Sequence, residues 1–214
     1  MTTAGTSQLA AELAELGVST VYEAAGRQGL IDAPLCQVVP GSRAAGPARI
    51  AACGQDDNQT VHTTLPYLRP GEVLVVTMPR PAPVALLGEL LATQAQHRGA
   101  AAVLVDAAVR DVEELRRIGL PVWARYVRAA GAGKRFPGAI DVPVTVGGTT
   151  IRPGDLVVLD ADGAVVVPAG RAEPVRAAAR ERAGREAGLR VRFAAGELSR
   201  DVYRLSGPPP GEPG

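Results

Sequence analysis

The sequence has very few of the residues on which several kinds of site depend. Lys134 is the only lysine among the 214 residues, so a Schiff-base enzyme has a single candidate, and its glycine-rich surroundings predict an exposed loop. The two histidines and two cysteines are too few and too scattered for a closed structural zinc site. Aromatic residues make up 3% of the chain, which argues against a base-stacking surface for nucleic acid.

The net charge is also small, and the hydrophobic runs are short. The net charge of +1 provides no basic field for nucleic acid, and no apolar run approaches the length of a membrane span or a signal peptide. Cys36 and Cys53 cannot form a disulfide framework, so a cytoplasmic location is the default expectation. With 46% hydrophobic residues, the chain has enough apolar surface for one domain with a substantial core.

Residues 88–111 have the pattern of half a βαβ unit. A helix is predicted from Gly88 to Arg98, Gly99 stops it, and the apolar run 101–105 predicts a buried strand. A polar cluster follows, with Asp106 and then Arg110 next to Asp111. In an open α/β sheet, the loop after such a strand lies close to the loop that starts the helix, where ligands commonly bind.

This arrangement would collect several chemical groups around one small cavity. Free backbone N–H groups near Gly88, together with Arg110, suit an anionic substrate. The carboxylates of Glu89, Asp106 and Asp111 suit a hard divalent cation.

The remainder of the chain predicts a single domain over residues 8–205, between disordered ends at 1–7 and 206–214. Ser19 or Thr20 is expected to cap a short second helix. Helices are predicted over 8–16, 59–68, 112–117 and 171–195, and strands over 45–53, 73–77, 121–124, 142–146, 149–151, 156–159 and 164–167. The alternating first part indicates parallel pairing, and the later part indicates antiparallel hairpins.

The central stretch resembles the signature of class II pyruvate aldolases, which cleave 4-hydroxy-4-methyl-2-oxoglutarate and 4-carboxy-4-hydroxy-2-oxoadipate. Glu89, Arg110 and Asp111 match the family's acidic residue, twenty-residue gap and Arg-Asp pair. Further segments are most similar to the carboxy-hydroxy-oxoadipate branch: 21–27 (VYEAAGR), Asp57-Asn58 with His62, 121–123 (PVW) and 194–198 (AAGEL).

The resemblance implies a β/β/α swivelling fold of the phosphohistidine-domain type and a homotrimer or dimer of trimers with active sites between subunits. It also implies a Mg²⁺ or Mn²⁺ cofactor. Asp111 would ligate the metal directly, Glu89 would reach it through water, and Arg110 would bind the keto oxygen of the substrate. The backbone of residues Gly88, Glu89, Leu90 and Leu91 would hold the pyruvyl carboxylate, while Asn58 and His62 are candidates for binding the rest of the substrate. Glu186 would reach the site of a neighbouring subunit.

The resemblance therefore implies retro-aldol cleavage to pyruvate and a second oxo acid, with oxaloacetate decarboxylation as a side activity. An alternative interpretation is a non-catalytic regulator that binds protein, because the regulator of ribonuclease E activity A has the same fold and acts in this way. The products of 4-carboxy-4-hydroxy-2-oxoadipate cleavage would be pyruvate and oxaloacetate, a step in the degradation of aromatic compounds.

Several residues also have purely structural interpretations. Arg110 and Asp111 could form a surface ion pair in which Asp111 caps the next helix. Asp106 could cap the strand end, although support of Arg110 is favoured. For His62, packing within its helix and binding of a distal carboxylate remain equally open.

Overall fold

A computed structural model of the chain describes residues 3–207. The helices are α1 (Thr3–Leu16), α2 (Val18–Ala24), α3 (Gln59–Thr64), α4 (Glu89–His97), α5 (Val112–Ile118), α6 (Ala172–Ala194) and α7 (Ser199–Val202). The strands are β1 (Cys36–Gln37), β2 (Ala44–Ala52), β3 (Val73–Thr77), β4 (Ala85–Leu87), β5 (Ala102–Val109), β6 (Val122–Val127), β7 (Ala139–Ile140), β8 (Val144–Val146), β9 (Thr149–Ile151), β10 (Leu156–Asp160) and β11 (Gly163–Val167). Short 3₁₀ turns cover Leu65–Tyr67 and Ala169–Arg171.

Nine of the described strands form one large mixed sheet in the order β1-β6-β5-β3-β2-β10-β11, with β4 beside β5 and β7 beside β2, and β8 and β9 form a separate two-stranded sheet. The pairs among β2, β3, β5 and β6 are parallel, whereas β10 and β11 are antiparallel, as the change of pattern along the sequence predicts. The segment 30–38 connects the two edges, since Leu30 bridges to Val165 of β11 and Val38 donates its N–H to Val122 of β6. The sheet is therefore nearly closed into a barrel, and this single-domain α/β architecture confirms the predicted fold class.

Alternation along the strands separates the barrel interior from the helix-covered outside. On β3, Val73 and Val75 face the interior, while Leu74 and Val76 pack with the helices α3, α4 and α5. Trp123 is fully buried in the interior, and its Nε1 donates a hydrogen bond across the barrel to the carbonyl of Asp160, at 2.8 Å. Helices α1, α2 and α6 cover β10 and β11 through a separate apolar cluster. Among the described residues, no helix is long and apolar enough to cross a membrane.

The first helix begins earlier than the predicted range of 8–16. Helix α1 begins at Thr3, inside the segment 1–7 for which the sequence predicts disorder. Once the buried residues Leu9 and Leu13 hold the helix, each added turn costs little, and the preceding segment can continue it. The predicted tail 206–214 lies outside the described residues from position 208 onward.

The start of α2 is also determined differently from the prediction. Neither Ser19 nor Thr20 caps the helix, which begins at Val18. Instead, the carboxylate of Asp160 accepts the N–H of Val18 at 2.8 Å, and Ser19 donates its hydroxyl to Asp162. A cap from a residue 142 positions away depends on the packing of β10 and cannot be read from the local sequence.

Candidate functional site

The central unit consists of β4, α4 and β5, with β4 and β5 parallel. Strand β4 follows a proline-rich loop and was missed in the sequence, and β5 runs to Val109 rather than ending at Val105. The carboxyl ends of the two strands bring Gly88 next to Arg110, whose N–H donates to the carbonyl of Leu87 at 3.1 Å. The predicted meeting of the helix entry with the Arg-Asp pair is confirmed.

Gly88 leaves the space that the two charged side chains occupy. A β-carbon at this position would lie 2.5 Å from Asp111 Oδ2, 3.0 Å from Arg110 Cγ and 3.1 Å from Arg110 Nε. The backbone of Gly88 is extended, with φ −143°, so any residue could adopt it. Glycine is therefore required here because of the close approach of Arg110 and Asp111, and not because of its conformational freedom.

Asp111 lies at a sharp corner between β5 and α5. Its backbone is left-handed, with φ 60° and ψ 44°, a conformation that costs most residues roughly 1–2 kcal/mol and that Asp tolerates better than most. Its carboxylate does not cap α5; Oδ2 accepts the N–H of Glu89 at 3.1 Å and lies 3.5 Å from Arg110 Nε. The corner thus directs the carboxylate to the N-terminus of α4, which disagrees with the interpretation of Asp111 as a cap of its own helix.

These groups line a cavity of ≈ 500 Å³. Its wall contains eight of the residues singled out in the sequence: Asn58, His62, Gly88, Glu89, Leu90, Leu91, Arg110 and Asp111. Sequence reasoning missed Glu114 and Lys134 on the same wall. Glu114 follows Asp111 by three positions on a helix, a spacing that could have identified it.

The N-terminus of α4 offers backbone donors to the cavity. Within residues 3–207, the N–H of Glu89 is bound by Asp111, the N–H groups of Leu90 and Leu91 have no hydrogen-bond acceptor, and the first backbone–backbone bond runs from Ala92 to the carbonyl of Gly88. Unpaired N–H groups and the helix dipole together favour an anion at this position.

Asn58, His62 and Lys134 supply further polar groups to the cavity wall. Asn58 donates its Nδ2 to the carbonyl of Leu86 at 3.0 Å, while its buried Oδ1 has no partner among the described residues. Such an atom is expected to bond to water or to a ligand. Burial, followed by the positive charge of Lys134, lowers the pKa of His62. His62 lies on the cavity wall, and its role in substrate binding stays a prediction.

Asp106 does not support Arg110, contrary to the prediction. It lies on the interior face of β5, as Leu104 does, and pairs with Arg125 of β6. Burial raises the pKa of Asp106, and the hydrogen bond and charge of Arg125 oppose that effect. The reason is the alternation of the strand, which turns the side chain of Asp106 into the barrel, whereas Arg110 follows the end of the strand.

Glu186 is outside the cavity wall of its own chain. It lies on α6, where its carboxylate is 2.9 Å from Arg182 Nε and 3.7 Å from Arg190 Nη2. Within one chain it is therefore part of a set of helix-surface ion pairs, and the structure does not bring it to the other predicted site residues.

The donor set fits a hydrated hard cation. Asp111 Oδ1 makes no hydrogen bond within the described residues, and the carboxylates of Glu89 and Glu114 share its cavity. Among residues 3–207, no three His, Cys, Asp or Glu side chains form a group that could hold one metal ion. Mg²⁺ commonly takes one or two carboxylates and keeps several waters, so a single direct ligand is compatible with this ion.

Comparisons with known proteins agree with this geometry. The sequence model of the RraA-like family, described as Aldolase/RraA, matches residues 17–166. A protein of Halalkalibacterium halodurans, named provisionally as a 4-hydroxy-4-methyl-2-oxoglutarate aldolase, is 36% identical over 130 residues. The matched residues are 61% of this chain and 62% of that relative, so the match spans less than two thirds of the relative's length.

Two further relatives carry the two kinds of name that appear in the description of the family. The 4-hydroxy-4-methyl-2-oxoglutarate aldolase of Thermus thermophilus is 36% identical over 113 residues, 53% of this chain and 69% of that protein. The crystal structure of Streptomyces coelicolor RraAS2, described as an unusual member of the RNase ES inhibitor RraA family, superposes with a TM-score of 0.76 at 30% identity, over 86% of this chain and 96% of that one. The chain belongs to the RraA-like family of aldolases and RraA proteins.

Proposed function

We propose that the chain is a metal-dependent aldolase that cleaves 4-carboxy-4-hydroxy-2-oxoadipate, 4-hydroxy-4-methyl-2-oxoglutarate or both to pyruvate and a second oxo acid. Oxaloacetate decarboxylation would be its side activity. The observation that carries the proposal is the convergence of Arg110, Asp111 and the N-terminus of α4 around the space left by Gly88. The aldolase names of two relatives support it.

The pyruvyl half of the substrate would bind at the α4 end of the cavity. Its carboxylate would accept hydrogen bonds from the N–H groups of Leu90 and Leu91, in the field of the helix dipole. The guanidinium of Arg110 would then face the keto oxygen. Cleavage of the C3–C4 bond leaves the electrons on the pyruvate enolate, whose oxygen carries negative charge, and Arg110 would stabilise that charge as it develops.

A divalent cation held by Asp111, with Glu89 acting through water, would supply additional positive charge beside the same oxygen. Mg²⁺ or Mn²⁺ is the proposed cofactor.

The reaction also requires a base for the proton of the C4 hydroxyl group. Glu89 is on the cavity wall and is proposed to hold the water that accepts this proton. Glu186 is proposed to contribute from a second copy of the chain, because it does not reach the cavity of its own. Assembly as a homotrimer or a dimer of trimers is therefore part of the proposal.

The far end of the cavity would select the second half of the substrate. Asn58, His62 and Lys134 lie on this wall and can donate hydrogen bonds to a distal carboxylate. The buried Oδ1 of Asn58 would in turn accept a bond from a substrate hydroxyl group or a bound water.

The second candidate function is that of a protein-binding regulator. The Streptomyces coelicolor relative, described as an unusual member of the RNase ES inhibitor RraA protein family, is similar over 86% of this chain. Such a role does not need the metal carboxylate or the free helix N-terminus. The two functions therefore differ in their dependence on Asp111.

The proposed function is tested by measuring pyruvate release from both hydroxy-oxo acids and from oxaloacetate, with Mg²⁺ or with EDTA. Wild type should turn over only with the metal, and Asp111→Ala should lose about 10³-fold or more of that activity, because a direct ligand typically accounts for several kcal/mol. Asp201→Ala, an exposed carboxylate on α7, is the matched control and should keep full activity.

Two results would contradict the proposal. Wild type that releases no pyruvate from any of the three substrates would favour the regulator. An Asp111→Ala variant that keeps near-normal, Mg²⁺-dependent turnover would show that the metal ligand has been assigned wrongly.

A further inference from the structure

A buried carboxylate, that of Asp57, lies between two segments that contribute residues to the cavity wall. Only 1% of its surface is exposed, and it is not part of the cavity wall. Its Oδ1 accepts the N–H of Gln59 at 2.8 Å, and its Oδ2 accepts the N–H groups of Arg135 at 2.5 Å and Phe136 at 3.1 Å. All three hydrogen bonds come from the backbone, and they join two segments that are far apart in the sequence.

Backbone contacts join the same two segments. Asn58 donates its N–H to the carbonyl of Gly133 at 3.0 Å, and Gly133 donates its own to the carbonyl of Asp56 at 2.9 Å. One segment leads into α3 and presents Asn58 and His62 to the cavity; the other presents Lys134. The relative position of these three side chains therefore depends on the junction at Asp57.

The charge on Asp57 is maintained by its surroundings. Burial by itself would raise the pKa of this carboxyl, but the backbone N–H groups of Arg135, Gln59 and Phe136, with the positive charge of Lys134, outweigh it and lower the pKa. Removing a charge from water is costly, and here the three backbone N–H groups compensate that cost in the observed arrangement of the loop. A neutral side chain could fill the space, but it could not bind three N–H groups.

We propose that Asp57 is a positioning residue that fixes Lys134 against Asn58 and His62, so that the cavity has a preformed end for a second carboxylate. The inference rests on the proposed aldolase function and extends it to substrate selection. A loop held in place in the free protein does not lose conformational freedom when the substrate binds, and its donors already face the cavity. Asp57 itself does not touch the substrate.

The chain offers a closely matched pair of variants for the test. In Asp57→Asn, the amide has one oxygen and an NH₂ group, which cannot accept a hydrogen bond, so at least one of the three backbone N–H groups loses its partner. Asp56→Asn is the control, because among residues 3–207 the exposed carboxylate of Asp56 accepts a bond from Gln55 only, and Asn tolerates its left-handed backbone with φ 57°. Lys134→Gln removes the charge that the loop is proposed to place.

The measurements are kcat and KM for 4-carboxy-4-hydroxy-2-oxoadipate and the inhibition constant of pyruvate, which has no second carboxylate. Asp57→Asn and Lys134→Gln should each raise KM about tenfold, the effect of losing one charge-assisted contact, with kcat and pyruvate inhibition within about twofold of wild type. The double variant should be little worse than either single one, because both remove the same interaction.

Other outcomes overturn the inference. A Lys134→Gln variant with an unchanged KM would do so, whether or not Asp57→Asn folds. A parallel loss of kcat, pyruvate inhibition and melting temperature in Asp57→Asn would show that the junction serves stability alone. Absence of turnover in wild type would instead overturn the proposed function, and the inference with it.

Discussion

Two Asp–Arg pairs, whose Asp residues lie on β5 or just after it, have opposite characters. Asp106 and Arg125 form a tight pair inside the barrel, with side-chain exposures of 3% and 15%. Asp111 and Arg110 come just after β5, are 40% and 48% exposed, and are 3.5 Å apart. The residue types are the same, and the Asp residues are five positions apart, but one pair is enclosed by the fold and the other faces a cavity.

The comparison shows that position in the fold, more than residue type, decides what an ion pair can do. A buried pair has lost its hydration and must keep its partner, so its removal affects folding. An exposed pair gains little stability from its mutual attraction, and its remaining hydrogen-bonding capacity is available to a ligand. We therefore expect the Asp106 pair to control stability and the Asp111 pair to control activity.

The largest expected effect is on stability, at the buried pair. Arg125→Met should lower the free energy of unfolding by about 3–5 kcal/mol, because it leaves the carboxylate of Asp106 buried without its partner. Urea denaturation measures this loss, and the folded fraction should keep wild-type turnover. The double variant Asp106→Val/Arg125→Met should recover much of the lost stability, since it removes both charges.

The pH dependence of the same variant sharpens the comparison. Burial already raises the pKa of Asp106, and loss of Arg125 raises it further. A carboxyl whose pKa is higher in the folded state than in the unfolded state stabilises the folded state at low pH. This contribution to the free energy of unfolding is complete below the unfolded pKa, of about 4, and is lost as the pH rises through the folded pKa. The deficit of Arg125→Met should therefore be smaller at pH 5 than at pH 7. An equal deficit at both pH values would mean that Asp106 is not the source of the destabilisation.

The next effect is on activity, at the exposed pair. Arg110→Lys should lower both kcat and kcat/KM by about 10²–10³-fold, because a lysine cannot reproduce the planar, two-donor contact with the enolate oxygen. Unfolding free energy should change by less than about 0.5 kcal/mol, as is usual for exposed positions. Oxaloacetate decarboxylation should fall by a similar factor. If only aldol cleavage were lost, Arg110 would act on the distal half of the substrate.

The smallest expected effect is at Gly88, which leaves space for Arg110 and Asp111 beside the N-terminus of α4. Gly88→Ala should reduce kcat/KM by about 10–10²-fold, because a β-carbon 2.5 Å from Asp111 Oδ2 displaces a group that must be placed accurately. Gly170→Ala, where a β-carbon meets no atom within 4 Å, is the control for the added methyl group and should be silent. Full activity in Gly88→Ala would show that the positions of Arg110 and Asp111 tolerate a shift.

Much of the fold could be predicted because it follows from local patterns. The apolar run at 73–77 is β3, with the predicted bounds, and Gly119 ends α5 in the left-handed conformation that glycine adopts without strain. The arrangement of α4 and β5 could also be predicted, because a helix between two parallel strands brings its entry loop close to the end of the second strand. The site around Gly88, Arg110 and Asp111 was therefore identifiable from the sequence, whereas the position of Lys134 on its wall was not.

The sequence by itself determined most of the helices and strands, where the Arg-Asp pair follows a strand, and which family the central stretch resembles. Only the tertiary structure decided that Asp106 pairs with Arg125, that Asp160 caps α2, and that Asp57 holds the loop of Lys134 at the cavity. Local patterns arise from steric preferences and from the periodic burial of apolar residues, which act over a few neighbouring positions. The partner of a buried charge depends instead on which distant segments come together when the sheet closes, because a carboxylate removed from water must bind whatever donors the assembled core provides.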